Sequence, residues 1–384
     1  MGDPEPSTAE VWVPSLIGGF PTQDDRVPSI LLLVLFICSL SPWIKRQFDP
    51  NTRTITLGFA TFVFAMGQIP VFTFRGFRSH HHEPGEILGE WMTTYQQLAF
   101  AVGYTGLMLD LVSFARVVLV NATLEDQRRG SRDRPTLRGK IRRLLWYLGF
   151  LLSVVSGLGS VVYSILFVFT QRQDRADRFW HLRYASDALP LIIILTFIGG
   201  LLYIRPRLEF LDKPAVDALV KLSLTLAIVP IYRLTVLHYK SPSMQIFPSE
   251  PFPASSLTPT RAKVVFYICH ILPGVLVVYY IHFINIRAKF NAGPYGDWYH
   301  NDKKNGIPQL REEGVLVEGV GVGPIAQPKK PTIRWWLKFL FIFESRPSRT
   351  RDAEKDDFDP DRESLLTLVP TRSVSGDKSD KAWW

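Results

Sequence analysis

The chain has 384 residues, 47% of them hydrophobic, with 26 Phe, 13 Tyr and 10 Trp, a formal net charge of +9 and only two cysteines. Cys38 and Cys269 both lie inside apolar stretches, which excludes a disulfide-stapled secreted scaffold. The hydrophobic residues are gathered into seven runs, which excludes an ordinary soluble domain; the mean hydropathy of +0.08 is modest only because charged loops dilute them.

Residues 1–26 are polar and acidic, with Asp3, Glu5, Glu10, Asp24 and Asp25 against Arg26. They lack the basic start and short apolar core of a secretory leader and are expected to form an extracellular segment. Apolar runs follow at 27–44, 54–74, 92–120, 144–169, 185–204, 215–237 and 264–286. A helix crosses a bilayer in about 20 residues. The expected fold is therefore all-α: a polytopic membrane protein with a seven-transmembrane-helix bundle over 27–286. The first run ends in Lys45 and Arg46. With the N-terminus outside, the connections 45–53, 121–143 and 205–214 and the start of the tail carry 18 Lys and Arg, against 10 on the other side. This bias sets the N-terminus outside and the C-terminus in the cytosol. Most of it comes from Arg128, Arg129, Arg132, Arg134, Arg138, Lys140, Arg142 and Arg143, while four arginines in 170–184 run against it. The sequon Asn121-Ala122-Thr123 then faces the cytosol and should stay unglycosylated.

The tail, 287–384, is expected to be cytosolic. A Gly/Val linker at 314–324 precedes 329–343, where Lys329, Lys330, Arg334 and Lys338 accompany Trp335, Trp336 and a Phe-rich run. That composition suits an amphipathic segment on the cytosolic leaflet, or one packed under the bundle. Residues 345–384 have a disordered composition. The positive charge borders the spans on the cytosolic side, so its partner is anionic membrane lipid and not nucleic acid. A cytosolic protein partner would meet Arg138, Lys140, Arg142 and Arg143 in the 121–143 loop.

Ionisable groups at membrane depth are expensive and mark candidate sites. Asp110, in GLMLDLVSF, needs a cation, a proton or water; Arg233, His270 and His282 are the expected partners, and a structural tie between helices is the alternative. Asp187 opens the fifth run and is expected to cap a helix start. Arg233, near the outer end of the sixth, either snorkels or clamps a headgroup. Pro70, Pro190, Pro230 and Pro273 should kink spans two, five, six and seven and open a central cavity. Ser153, Gly157, Ser160 and Ser164 form a stripe for close helix contact. No HExxH, GxSxG or phosphate-binding loop is present, and His270 and His282 lie about 18 Å apart along one helix, too far to share an ion. The expectation is no enzyme, no cofactor and no metal, with His80-His81-His82 a solvated loop.

Tyr232-Arg233, then Phe266-Tyr267, Leu272-Pro273 and Asn285, resemble the fungal seven-span lipid-translocating-exporter family linked to aminocholesterol resistance. The family's acidic residue after the Arg is replaced here by Thr235, Val236 and Leu237, and His270 stands where the family has Asp. The layout also resembles fungal G-protein-coupled-receptor-like proteins, without an Asp/Glu-Arg-Tyr element in span three and without loop cysteines. The resemblance implies a protein of the plasma membrane or an internal membrane that senses or moves lipid-like molecules. The leading expectation is a non-enzymatic, receptor-like protein of the plasma membrane for a small apolar or amphipathic ligand. Asp110, Arg233, His270, His282 and Tyr267 would line the ligand or transport path. The alternative is an exporter-like transporter of sphingoid or sterol-like amphiphiles.

Overall fold

A computed structural model describes residues 12–49, 52–80, 89–123, 134–168, 173–208, 210–241, 256–293 and 296. The chain forms two compact units, Met1–Glu312 and Glu313–Trp384, and every described residue belongs to the first. The tail segments 329–343 and 345–384, His81, His82 and the basic residues Arg128, Arg129 and Arg132 lie outside the described residues.

The helices are α1 (Arg26–Phe48), α2 (Phe59–Arg78), α3 (Glu90–Asn121), α4 (Pro135–Leu151), α5 (Gly159–Val168), α6 (Gln173–Ile204), α7 (Lys213–Val236), α8 (Thr260–Phe266), α9 (Leu272–Phe283) and the short α10 (Ile286–Phe290). A π-helical turn, Leu152–Leu158, joins α4 to α5, and a second, Tyr267–Ile271, joins α8 to α9. Among the described residues, six helical segments are long and apolar enough to cross a membrane. The protein is therefore a mainly helical chain with the architecture of an integral membrane protein. The remaining expected span, α2, second in chain order, is 20 residues long but carries Gln68, Arg75 and Arg78, and it is not among the six.

Helix α3 is the centre, in contact with α2, α4, α5, α7 and α9. Its Leu107, Met108, Leu111, Phe114, Ala115 and Val117 are fully buried, as expected of a helix that is apolar all round. Outer helices α1, α4 and α6 expose Ile30, Leu31, Val34, Leu144, Ile192 and Leu195. In a membrane such side chains face lipid, so their exposure needs no further partner.

Both π turns have local consequences. Pro273 lacks the N–H that would bond Cys269 and its ring crowds that carbonyl; the wider turn at Tyr267–Ile271, immediately before it, accommodates the clash. Pro70, Pro190 and Pro230 instead lie inside unbroken helices. The turn at Leu152–Leu158 shifts register, so the small-residue stripe does not hold: Ser160 and Ser164 are buried while Ser153 is exposed. Helix α4 starts at Pro135, well before the apolar run, so the four basic residues lie on a helix and not in a loop. Arg138 is buried, and Lys140 and Arg143 are exposed.

The N-terminal segment departs most from expectation. Val13, Leu16, Ile17 and Phe20 are buried, and Val13–Pro14 (β1) pairs antiparallel with Lys240–Ser241 (β2). The apolar string WVPSLIGGF had been outweighed by the acids around it. Gly18 and Gly19 make the docking feasible with φ of +79° and +61°. A Cβ on Gly19 would lie 2.3 Å from the Leu257 carbonyl oxygen, and one on Gly18 2.7 Å from the Phe266 ring. Gly19→Ala, strained in φ and blocked by backbone, should release the segment. Limited proteolysis within 12–22 is expected to run roughly tenfold faster than in the parent.

A buried polar cluster as the candidate functional site

Two clusters of buried charge lie at the end of the bundle that carries the N-terminal segment. The outer one centres on Asp25, fully buried at the start of α1. Its Oδ1 accepts from Arg75 Nη2 at 2.9 Å and from the Tyr267 hydroxyl at 2.5 Å. Its Oδ2 accepts from the Thr22 amide at 3.0 Å and from the Lys263 ammonium. Arg75 also donates to the carbonyls of Gly18 and Gly19, at 2.9 and 3.2 Å. One carboxylate thus holds two cations and ties α1, α2 and α8 to the N-terminal segment.

The inner cluster centres on Arg233. Its Nε donates to Asp187 Oδ1 at 2.6 Å, and its Nη1 to the Phe100 carbonyl at 2.9 Å. Its guanidinium faces the Tyr104 ring at 5.7 Å. Both charged side chains have no exposure. Asp187 therefore caps no helix start: α6 begins at Gln173, and Asp187 sits mid-helix facing α7. Arg233 does not snorkel, because a partner inside outweighs the route to water.

Phe266 separates the clusters. Its ring lies 5.5 Å from the Arg75 guanidinium on one side and 5.3, 5.4 and 6.4 Å from Phe100, His270 and Tyr232 on the other. The π turn after it sends one residue to each cluster: Tyr267 to Asp25, and His270 against Phe100 and Tyr232.

Of the expected path residues, Arg233 and His270 meet in the inner cluster and Tyr267 belongs to the outer one. Asp110 joins neither. Its Oδ2 accepts from the Thr61 amide and hydroxyl, both at 2.6 Å. Gly58, which precedes α2, has no side chain to cap it, and the first amides of a helix lack intrahelical partners. Asp110 supplies that cap from the neighbouring α3. Asp110→Ala is expected to cost about 1–3 kcal/mol, read as a lower unfolding temperature. His282 is also remote, its Nδ1 on the Ser39 carbonyl at 2.8 Å, beside Arg46, which caps the end of α9 through the carbonyls of Ile281 and His282.

The inner cluster is rich in polar atoms without a hydrogen-bond partner among the described residues: Tyr104 Oη, Tyr232 Oη, Arg233 Nη2, Asp187 Oδ2, His270 Nδ1 and both amide atoms of Gln97. Gln97, Phe100 and Tyr104 follow at three- and four-residue spacing on one face of α3, which extends the cluster along that helix. Known protein families, curated proteins and solved structures contain no match to this chain. What the cluster can do follows from the chemistry of its own side chains. No group of three His, Cys, Asp or Glu among the described residues could hold a metal ion.

Sequence reasoning missed Asp25, Arg75, Arg183 and Lys263 as site residues, counting the three cations as loop charges. The available signal was position: each falls within a helical turn or two of an apolar run, where a helix can carry it below the surface. The sequon is also structurally engaged. Asn121 Nδ2 donates to the Asn291 carbonyl at 2.7 Å and Thr123 is buried. Asn121→Gln should leave electrophoretic mobility unchanged in a host that glycosylates.

Proposed function

We propose that this is a receptor-like membrane protein that admits the polar group of a small amphipathic ligand to the Arg233–Asp187 cluster and performs no reaction on it. The carrying observation is the set of unpaired polar atoms inside an apolar bundle. Each such group costs about 1–3 kcal/mol when left unsatisfied, and a ligand's polar group recovers that cost on binding. In this reading α2 completes the seven spans, the N-terminus lies outside, the C-terminus lies in the cytosol, and the plasma membrane is the site of action. Lys140 and Arg143 offer a basic surface to a cytosolic protein partner.

The test uses the full chain in lipid nanodiscs with labelled amphiphiles. Tyr104→Phe and Tyr232→Phe remove hydroxyls that have no protein partner. Both variants should be as stable as the parent or slightly more so, while ligand binding weakens by about 0.5–1.5 kcal/mol for each hydroxyl used. A loss of stability with unchanged binding would make these hydroxyls structural and overturn the reading.

The second reading is an exporter-like transporter of sphingoid or sterol-like amphiphiles. It is favoured by the two π turns, since such wide turns recur where helices shift at functional sites. Movement of labelled lipid by the protein alone in liposomes would establish it. Binding without movement, together with a partner that requires Lys140 and Arg143, would establish the receptor.

A further inference from the structure

We infer that the group taken into this cluster is an anionic oxygen head, a carboxylate or phosphate, held by Arg183 and Arg233. The inference rests on reading the cluster as a ligand site and adds the ligand's charge. Four cations are buried at this end, Arg75, Arg183, Arg233 and Lys263, against two carboxylates, Asp25 and Asp187. Asp25 serves Arg75 and Lys263, and Asp187 serves Arg233. Asp110 is engaged by Thr61, and Asp24 is exposed and accepts from Thr260.

Arg183 is left without a carboxylate. It is 1% exposed and lies one helical turn before Asp187 on α6. It has no ion pair within 4.0 Å among the described residues. Its contacts include a long bond from Nη1 to the Ser15 carbonyl, 3.4 Å, the ring of Tyr163 at 5.0 Å together with that residue's hydroxyl, and the field of Asp187 one turn away. Its Nε has no partner. A buried charge without compensation is strongly unfavourable, the more so within a membrane.

The unpaired atoms agree with the charge. Arg183 Nε, Arg233 Nη2, the hydroxyls of Tyr104 and Tyr232 and the Gln97 amide nitrogen all donate. Opposed to them are Asp187 Oδ2 and the Gln97 amide oxygen, while the His270 ring nitrogen donates or accepts according to its tautomer. Guanidinium pairs and hydroxyls suit carboxylate and phosphate oxygens. An amine head, such as that of a sphingoid base, would meet two guanidiniums and be repelled.

The test is equilibrium binding to the full chain in phosphatidylcholine nanodiscs, with oleate, lysophosphatidate, inorganic phosphate, monoolein and sphinganine as labelled probes. Oleate or lysophosphatidate is expected to bind saturably. Arg183→Gln should weaken that binding at least about tenfold, and Arg183→Lys should retain part of it. Arg183→Gln removes a buried charge that has no ion pair among the described residues and should unfold no more easily than the parent; if it does not fold, Arg183→Lys alone must still weaken anion binding. Phosphate binding as tightly as the amphiphiles would support the anion site and make a free oxyanion its ligand. Saturable binding of monoolein or sphinganine without the anions would overturn the inference and leave the cluster a ligand site. Unchanged anion binding in Arg183→Gln would also overturn it. No binding of any probe to folded protein would overturn the inference and the ligand-site reading together.

Discussion

Asp25→Asn is expected to release the N-terminal segment and to cost about 3–5 kcal/mol of stability, the scale for leaving a buried charge unpaired. Asp25 is the one carboxylate within ion-pair distance of Arg75 and of Lys263 among the described residues, and both cations are buried. An amide in its place still accepts one hydrogen bond but balances neither charge. The cheapest escape is for the segment 12–22 to lift away, because its Gly18 and Gly19 carbonyls are held by the same Arg75. Two readouts follow. Proteolysis within 12–22 should become fast at temperatures where the helices remain folded, and the unfolding temperature should fall. Adding Lys263→Met to Asp25→Asn should recover part of the loss, since only one cation then lacks a partner. A double variant as unstable as the sum of its single changes would show that the pair does not couple.

Asp187→Asn should cost about 3–5 kcal/mol as well, and more than Arg233→Gln. The asymmetry comes from Arg183. With Asp187 neutral, Arg183 and Arg233 stand together in an apolar interior with no anion. With Arg233 neutral, Asp187 keeps a cation one helical turn away and the cluster is balanced, so the expected loss is about 1–2 kcal/mol. Thermal unfolding in the same detergent measures both. Equal losses would mean that Arg183 does not share the field of Asp187. For binding the order reverses: Arg233→Gln removes a donor to the anion, whereas Asp187→Asn removes an acceptor that opposes it.

How much of this was legible beforehand depends on the distance over which the evidence acts. Helix positions were: the apolar runs at 92–120 and 215–237 lie within α3 and α7 to within a few residues. Helix ends beyond the apolar run were not, because α4 and α6 continue through polar residues from Pro135 and Gln173. The π turns were also hidden, since a register shift leaves composition unchanged. Asp110 stands out in the sequence as a carboxylate at membrane depth. Its partner was the start of α2, a backbone terminus with no signature in side-chain chemistry. Asp187 was classified from its distance to the apolar run, a measure that fails when the helix begins earlier.

The sequence by itself determined that this chain is embedded in a membrane as a set of helices, because burial of apolar side chains in hydrocarbon and closure of backbone hydrogen bonds are properties of contiguous segments. Only the tertiary structure decided which charges meet. Asp25 with Arg75 and Lys263, Asp187 with Arg233, and Asp110 with Thr61 all join residues from different segments. Pairing energies depend on separations of a few ångströms through a medium of low polarity, and that distance is set by helix packing, not by position along the chain.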